Sequence, residues 1–317
     1  MTALICGSMA YDNIMVFPGR FREHILPEQI HILNVAFLVP EMRKEFGGCA
    51  GNVAYNLRML GGDGYAMATV GDDFGNYAAW LAEQQIDTRY IKGVPGTFTA
   101  QAYITTDLDD NQITAFHPGA MDAAHSQSVP GDAGIRIGMI SPDGRQGMLD
   151  HAAQFAAAGI PFVFDPGQGL PMFDGAELRS FIEQATWLAV NDYEGRMLVE
   201  RTGWSLADIS RNVSGLIVTR GAQGSVIWVD GADTEIPAVT PTAVLDPTGC
   251  GDAYRAGLLY GLQHDLPWAD TGRLAAVLGA LKVASRGTQN HVFTPAEVDD
   301  VFASSFGYRL GLPAGVA

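Results

Sequence analysis

From Asp63 onward, apolar runs of strand length alternate with stretches of helical period: "GYAMATVG" with "NYAAWLAEQQ", "IRIGMIS" with "GMLDHAAQFAAAG", "PFVFD" with "ELRSFIEQA", "WLAVN" with a helix around Tyr193 to Glu200, then "GLIVTRG". Parallel strands need a crossover of about a dozen residues, which a helix supplies, so this rhythm predicts a mostly parallel sheet covered by helices on both faces. An opening strand, Ala3 to Cys6, ends in the polar loop "GSMAYDN". The last third, after Gly251, reads as helical, with a fraying tail from Phe306 to Ala317.

Two segments break the alternation. Ile14 to Phe46 is interrupted by Pro18, Pro27 and Pro40 and has no helical period, so it reads as extended strands and loops. Thr97 to Thr106 and Gln112 to Phe116 flank "DLDDN" as in a hairpin. Folded together, they predict a small β-sheet lid over the sheet edge. The expected division is an α/β core (1–11, 47–96 and 119–310), a β lid (12–46 and 97–118) and a C-terminal tail (311–317).

Composition limits the partners. The net charge of −16, with only 19 Lys and Arg spread along 317 residues, excludes a nucleic-acid surface, which needs clustered cations. A phosphorylated small molecule remains open as a ligand, because backbone N–H groups, a helix N-terminus or a metal can supply positive potential locally. Cys6, Cys49 and Cys250 are odd in number and have no paired spacing, so no disulfide framework is expected and a cytoplasmic location is. No run of about 18 apolar residues occurs, so no membrane partner is expected.

Two glycine-rich clusters carry the chemistry. In "DPTGCGDAYRAG", Asp246 to Gly257, the small residues Gly249, Cys250 and Gly251 let backbone N–H groups converge at the mouth of a helix, whose dipole adds positive potential. Asp252 lies beside that anion hole; taken alone, it reads as an N-cap. In "GGCAGNVAYNL", Gly47 and Gly48 precede a helix that Asn52 opens, which is either a hinge or a plain turn. There is no G-x-x-x-x-G-K-[ST], and "GCGDAY" lacks the third glycine of G-x-G-x-x-G, so P-loop and Rossmann readings both fail.

The pair "GGCAGN" and "DPTGCGDAYRAG", with "GSMAYDN", "NDYE" and "VTRGAQG" in the same order, resembles the ribokinase, or PfkB, family of ATP-dependent sugar and nucleoside kinases over nearly the whole chain. The resemblance implies a ribokinase-like three-layer α/β/α sandwich with a β lid. It makes Asp252 the general base, with the N–H groups of Gly249, Cys250 and Gly251 holding the transferring phosphoryl charge. Substrate falls to Asp12, Asn13, Gly47, Gly48 and Asn52, with Gln101 and Phe116 of the lid facing a base. Nucleotide falls to Asn191, Glu194, Thr219, Arg220, Gly221 and Gly224, with Arg220 as a phosphate contact and Glu194 organising Mg²⁺ through water. Asp246 and Thr248, with backbone from "ASRGTQ", resemble a monovalent-cation site and imply dependence on K⁺.

Departures from the family pattern narrow the reading. Cys250 stands where a small alanine is usual, and a thiol at a helix N-terminus is either activated or simply packed. "DPGQGLPMF" lacks the arginine of Asp-x-Asn-x-x-Arg, which speaks against a phosphorylated acceptor. The motif combination is most similar to bacterial and archaeal adenosine and nucleoside kinases. An ATP- and Mg²⁺-dependent kinase acting on the ribose 5'-hydroxyl of a nucleoside, adenosine first, is therefore expected, as monomer or homodimer. A ribokinase- or fructokinase-like sugar kinase and a non-catalytic sensor on the same fold are the alternatives.

Overall fold

A computed structural model describes residues 2–25, 34–109, 111–131 and 134–313; part of the segment between Ile14 and Phe46 and the last four residues lie outside these. The main sheet has nine strands in the order β13-β12-β11-β10-β9-β8-β1-β4-β5. They are β1 (Thr2–Cys6), β4 (Gly64–Val70), β5 (Ile91–Gly93), β8 (Ile135–Ile140), β9 (Phe162–Phe164), β10 (Trp187–Asn191), β11 (Gly215–Thr219), β12 (Ser225–Val229) and β13 (Ala232–Ile236). From β5 to β11 every pairing is parallel, and β12 and β13 add an antiparallel edge.

Side chains alternate between two cores, as the period of two in a strand requires. Ala3, Ile5, Ile217 and Ile227 face one core, where α1 (Cys49–Met59), α2 (Gly75–Glu83), α7 (Cys250–Gln263), α8 (Trp268–Val283) and α9 (Pro295–Phe306) pack. Leu4, Cys6, Leu216 and Val218 face the other, under α3 (Arg145–Ala158), α4 (Gly175–Gln184), α5 (Asp192–Thr202) and α6 (Leu206–Asn212). The expected three-layer α/β/α sandwich is therefore present.

A second sheet of four strands has the order β3-β2-β6-β7, with β2 (Ala10–Val16), β3 (Glu41–Gly47), β6 (Ala100–Thr106) and β7 (Gln112–His117). The expected hairpin is β6–β7, and β2 pairs in parallel with β6. This sheet is wired into the main one at two points. Chain leaves the carboxyl end of β1 directly into β2, and β3 runs through Gly47 and Gly48 into α1.

Two features depart from the sequence reading. The β12–β13 hairpin went unread, although Asp230-Gly231 is a two-residue turn with both φ angles positive, 51° and 77°, the conformation that favours Asp-Gly. The tail does not fray immediately after α9. Leu310 and Leu312 pack on the core, and the Asp299 carboxylate accepts the N–H groups of Leu310 and Gly311 at 2.7 and 3.1 Å.

Candidate active site

The carboxyl ends of the parallel strands meet the N-terminus of α7 on one side of the sheet, the place where open α/β sheets bind ligands. Gly249, with φ of 79°, turns the chain into α7, and the half-buried Asp252 sits in the first turn. Among the described residues, no acceptor takes the N–H groups of Gly249, Gly251 or Asp252. The Cys250 N–H donates to Pro247 O at 3.1 Å. The free donors at this helix mouth are therefore those of Gly249, Gly251 and Asp252, a correction to the set expected from the sequence.

Asp252 does not cap its own helix; its partner comes from the other glycine cluster. Asn52 Nδ2 donates to Asp252 Oδ2 at 2.8 Å, while Asn52 Oδ1 accepts from Gln289 Nε2 at 3.0 Å. Gln289 in turn accepts from Trp80 Nε1 at 3.1 Å and donates to the Tyr77 hydroxyl, which donates to Gly47 O at 2.9 Å. Burial pushes the Asp252 carboxyl up to about 7, with the Asn52 hydrogen bond opposing and the Asp165 carboxylate adding to the rise. An acid poised near neutrality at an open helix mouth is suited to accept a proton.

Behind it, Arg255 lies one turn further along α7 and is fully enclosed. Its Nε and a terminal nitrogen donate to the two oxygens of Asp165 at 3.1 and 3.0 Å, and the same nitrogen reaches Ala189 O at 3.3 Å. Glu194 approaches it at 4.0 Å. "DPGQGLPMF" thus gets its arginine from α7, a pairing the sequence reading missed although Arg255 shares a helix face with Asp252 at i, i+3.

Asn191 and Glu194 form a capping box on α5: the Asn191 side chain accepts from Glu194 N at 2.8 Å, and Glu194 Oε2 accepts from Asn191 N at 2.7 Å. Burial raises the Glu194 carboxyl, Asp165 adds to it and Arg255 opposes. Asn191 is in register with Thr219 across β10 and β11, and Thr219 Oγ1 donates to Val190 O at 3.4 Å. Gly221 and Gly224, both at positive φ, form the following turn; a Cβ on Gly224 would sit 2.1 Å from Ile236 O. Arg220 does not join them. Just past the end of β11, it lines a groove of about 450 Å³ together with Val218 and pairs there with Glu235.

On the small sheet, Asp12 lies against Gly47, where a Cβ would meet its Oδ2 at 2.6 Å. Burial pushes Asp12 up to about 6, with Asp246 and Glu45 adding to the rise. Gly48 has φ of 89°, and a Cβ there would come within 2.5 Å of Ser8 O. Asn13 and Gln101 are engaged with the sheet itself: Asn13 Nδ2 donates to Gln101 Oε1 at 3.2 Å, and Gln101 Nε2 donates to Asp73 at 2.9 Å. In this arrangement the two side chains are bonded to each other and to Asp73 rather than standing free. Phe116 lies on the edge strand β7 and is half exposed.

Asp246 is buried, and its carboxylate accepts from Thr248 N and Gly287 N, each at 3.0 Å. Burial acts to raise it, but those N–H donors outweigh burial and hold it below its usual range. Cys250 is a packed thiol: burial pushes it up to about 11, with the Lys282 ammonium opposing and the Asp246 and Asp252 carboxylates adding to the rise, so the activated reading is set aside. Between Asp246 O and Ser285 O stands the ammonium of Lys282, a residue the sequence reading did not single out.

A proton acceptor beside free backbone N–H groups at a helix mouth, on a three-layer α/β sandwich, is the equipment a phosphotransferase with a hydroxyl group as acceptor needs. Residues 10–295 match the family described as pfkB family carbohydrate kinase, and the chain belongs to that family. It is similar to a nucleoside kinase of Methanocaldococcus jannaschii, at 33% identity over 265 residues, 82% of this chain and 86% of that relative. It is also similar to the solved structure of Burkholderia thailandensis nucleoside kinase in complex with inosine, at 53% identity and TM-score 0.89, covering 97% of this chain and 99% of that one. The complex of the same protein with ADP-inosine gives 54% identity and TM-score 0.86 over 99% and 98% of the two chains. Among the described residues, no helix is long and apolar enough to cross a membrane.

Proposed function

We propose that the chain is an ATP-dependent nucleoside kinase that transfers the γ-phosphoryl group of ATP to the ribose 5'-hydroxyl of a purine nucleoside. The observation that carries this is Asp252, held by Asn52 beside three free backbone N–H groups and raised by burial to about 7. The 5'-hydroxyl gives its proton to the Asp252 carboxylate as its oxygen bonds to the γ-phosphorus and the bond from that phosphorus to ADP breaks. Charge on the transferring oxygens is met by the N–H groups of Gly249, Gly251 and Asp252 and by the α7 dipole. Asp12 and Asn52 bind the ribose hydroxyls, and Gly47 and Gly48 let the small sheet close over them.

Thr219, Gly221 and Gly224 line the nucleotide. Asn191 and Glu194 fit Mg²⁺ held mainly by phosphate and water: one Glu194 oxygen is spent on the cap, the other is free, and the raised carboxyl lies in a negative environment. Among the described residues, no group of three or more His, Cys, Asp or Glu forms a cage, which suits a cation that keeps its waters. When bound, Mg²⁺ neutralises phosphate charge. Inosine in the 53%-identical relative makes inosine and adenosine the first acceptors to try, with the exposed rings of Phe98 and Phe116 available to stack on a base.

The test is ATP consumption with a panel of nucleosides and free sugars in the presence of Mg²⁺. Turnover of inosine or adenosine well above ribose and fructose is expected. Turnover of sugars without nucleosides would replace the reading with a sugar kinase, and binding without transfer would replace it with a sensor.

A further inference from the structure

Lys282 is a lysine with no accessible surface, in the last turn of α8. A lysine is almost never enclosed in this way unless its charge is answered. Its Nζ donates to Asp246 O at 2.8 Å and to Ser285 O at 3.1 Å. The first carbonyl opens the loop that leads into α7; the second closes α8, where the helix dipole favours a cation. These oxygens belong to the same stretches, Asp246–Thr248 and 284–289, that by resemblance would hold a monovalent metal ion. The cradle therefore does not fit K⁺, because a cation of this chain's own already stands in it.

We infer that Lys282 is a built-in monovalent cation: its ammonium replaces K⁺ in positioning the Asp246–Gly251 loop, so that phosphoryl transfer needs no added monovalent ion. Three further contacts support this. The Asp246 carboxylate ties Thr248 N to Gly287 N, so both sides of the cradle are one hydrogen-bonded unit. Cys250 Sγ lies 3.9 Å from the same Asp246 O, which links the ammonium to the first residue of α7. Lys282 acts through the loop and is a positioning residue. An ion-pair role for Arg43, 3.8 Å from Asp246, does not compete, because its side chain is partly exposed and lies on the carboxylate side.

The inference rests on the phosphotransferase reading, and its test has one readout independent of turnover. The full-length parent, Lys282→Ala and Lys282→Met are compared in buffers whose only monovalent cation is K⁺, Na⁺ or choline, by initial rate and by melting temperature. In the parent, rate and melting temperature are expected to be the same in all three salts. Lys282→Ala opens the cradle, so in choline it loses about tenfold in rate, and K⁺ restores the rate and raises the melting temperature. Lys282→Met fills the space with an uncharged chain, so K⁺ restores neither. A parent whose rate or melting temperature rises several-fold or by several degrees with K⁺ overturns the inference, as does Lys282→Ala that K⁺ leaves unchanged. Should no acceptor be turned over, the melting arm still decides the cation question. Should Lys282→Ala fail to fold, the ion response of the parent decides it.

Discussion

Asn52 and Asp252, 200 residues apart in the chain, are joined by a 2.8 Å hydrogen bond between the first turns of α1 and α7. Because Asn52 Oδ1 is occupied by Gln289, the amide can present only its NH₂ group to the acid. That polarity favours the ionised carboxylate. The two glycine-rich turns are thus fixed to each other through the group that takes the proton.

A pH dependence follows. Asp252 works as a base only when ionised, so kcat/KM is expected to rise with pH through about 7 and level off above it. Asn52→Ala removes a donor that favours the charged form, which moves the limb to higher pH. Stability runs the other way. The folded state holds this proton more tightly than the unfolded chain, so ionising Asp252 costs stability progressively from about pH 4 to about 7. Asp252→Asn is therefore expected to melt above the parent at pH 8, with the difference gone near pH 4. An Asn52→Ala profile that overlays the parent would count against this account.

Gly48 and Gly61 separate backbone strain from close packing. Both have positive φ, 89° and 82°, but a Cβ on Gly48 meets Ser8, Met9 and Ala10 backbone within 2.7 Å, whereas one on Gly61 meets nothing within 4 Å. Gly61→Ala is expected to cost about 1 kcal/mol in urea unfolding. Gly48→Ala is expected to cost roughly 3 kcal/mol or more, and to depress activity at temperatures where the protein stays folded. Equal costs at the two sites would show that the approach of Ser8 and Ala10 is not constraining.

The Arg255–Asp165 pair is enclosed and bidentate. Arg255→Met leaves a buried carboxylate unanswered, and an unfolding free energy about 3–5 kcal/mol below the parent is expected. Arg255→Met with Asp165→Leu removes both charges and is expected to recover most of that loss. If the double variant were no more stable than the single, the cost would lie in lost packing around the arginine.

Much of the fold is legible in the sequence because parallel strands covered on both faces leave continuous apolar runs, and helices leave a different period between them. The β12–β13 edge was missed even though Asp230-Gly231 marks its turn. At the site, Asp252 and Asn52 could be named through the resemblance of the two glycine-rich clusters to the family, since residue type alone left Asp252 as a cap. Their contact could not, because it joins helices far apart in the chain. Arg220, just past the end of β11, pairs with Glu235, a contact with a distant strand that its place in "VTRGAQG" does not announce. Gln289 lies in the irregular stretch 284–294, which was read only for its backbone, so no periodicity announced that its side chain faces the site. Lys282 stands in the last turn of α8, where a lysine reads as an ordinary helix-end cation.

The most direct test of the central claim compares Asp252→Asn with the parent for phosphoryl transfer to inosine at saturating ATP and Mg²⁺, with inosine affinity measured by calorimetry on the same preparations. The rate is expected to fall by about 10²–10⁴, with inosine affinity within a few-fold of the parent. Normal turnover by Asp252→Asn would contradict the assignment of Asp252 as the base.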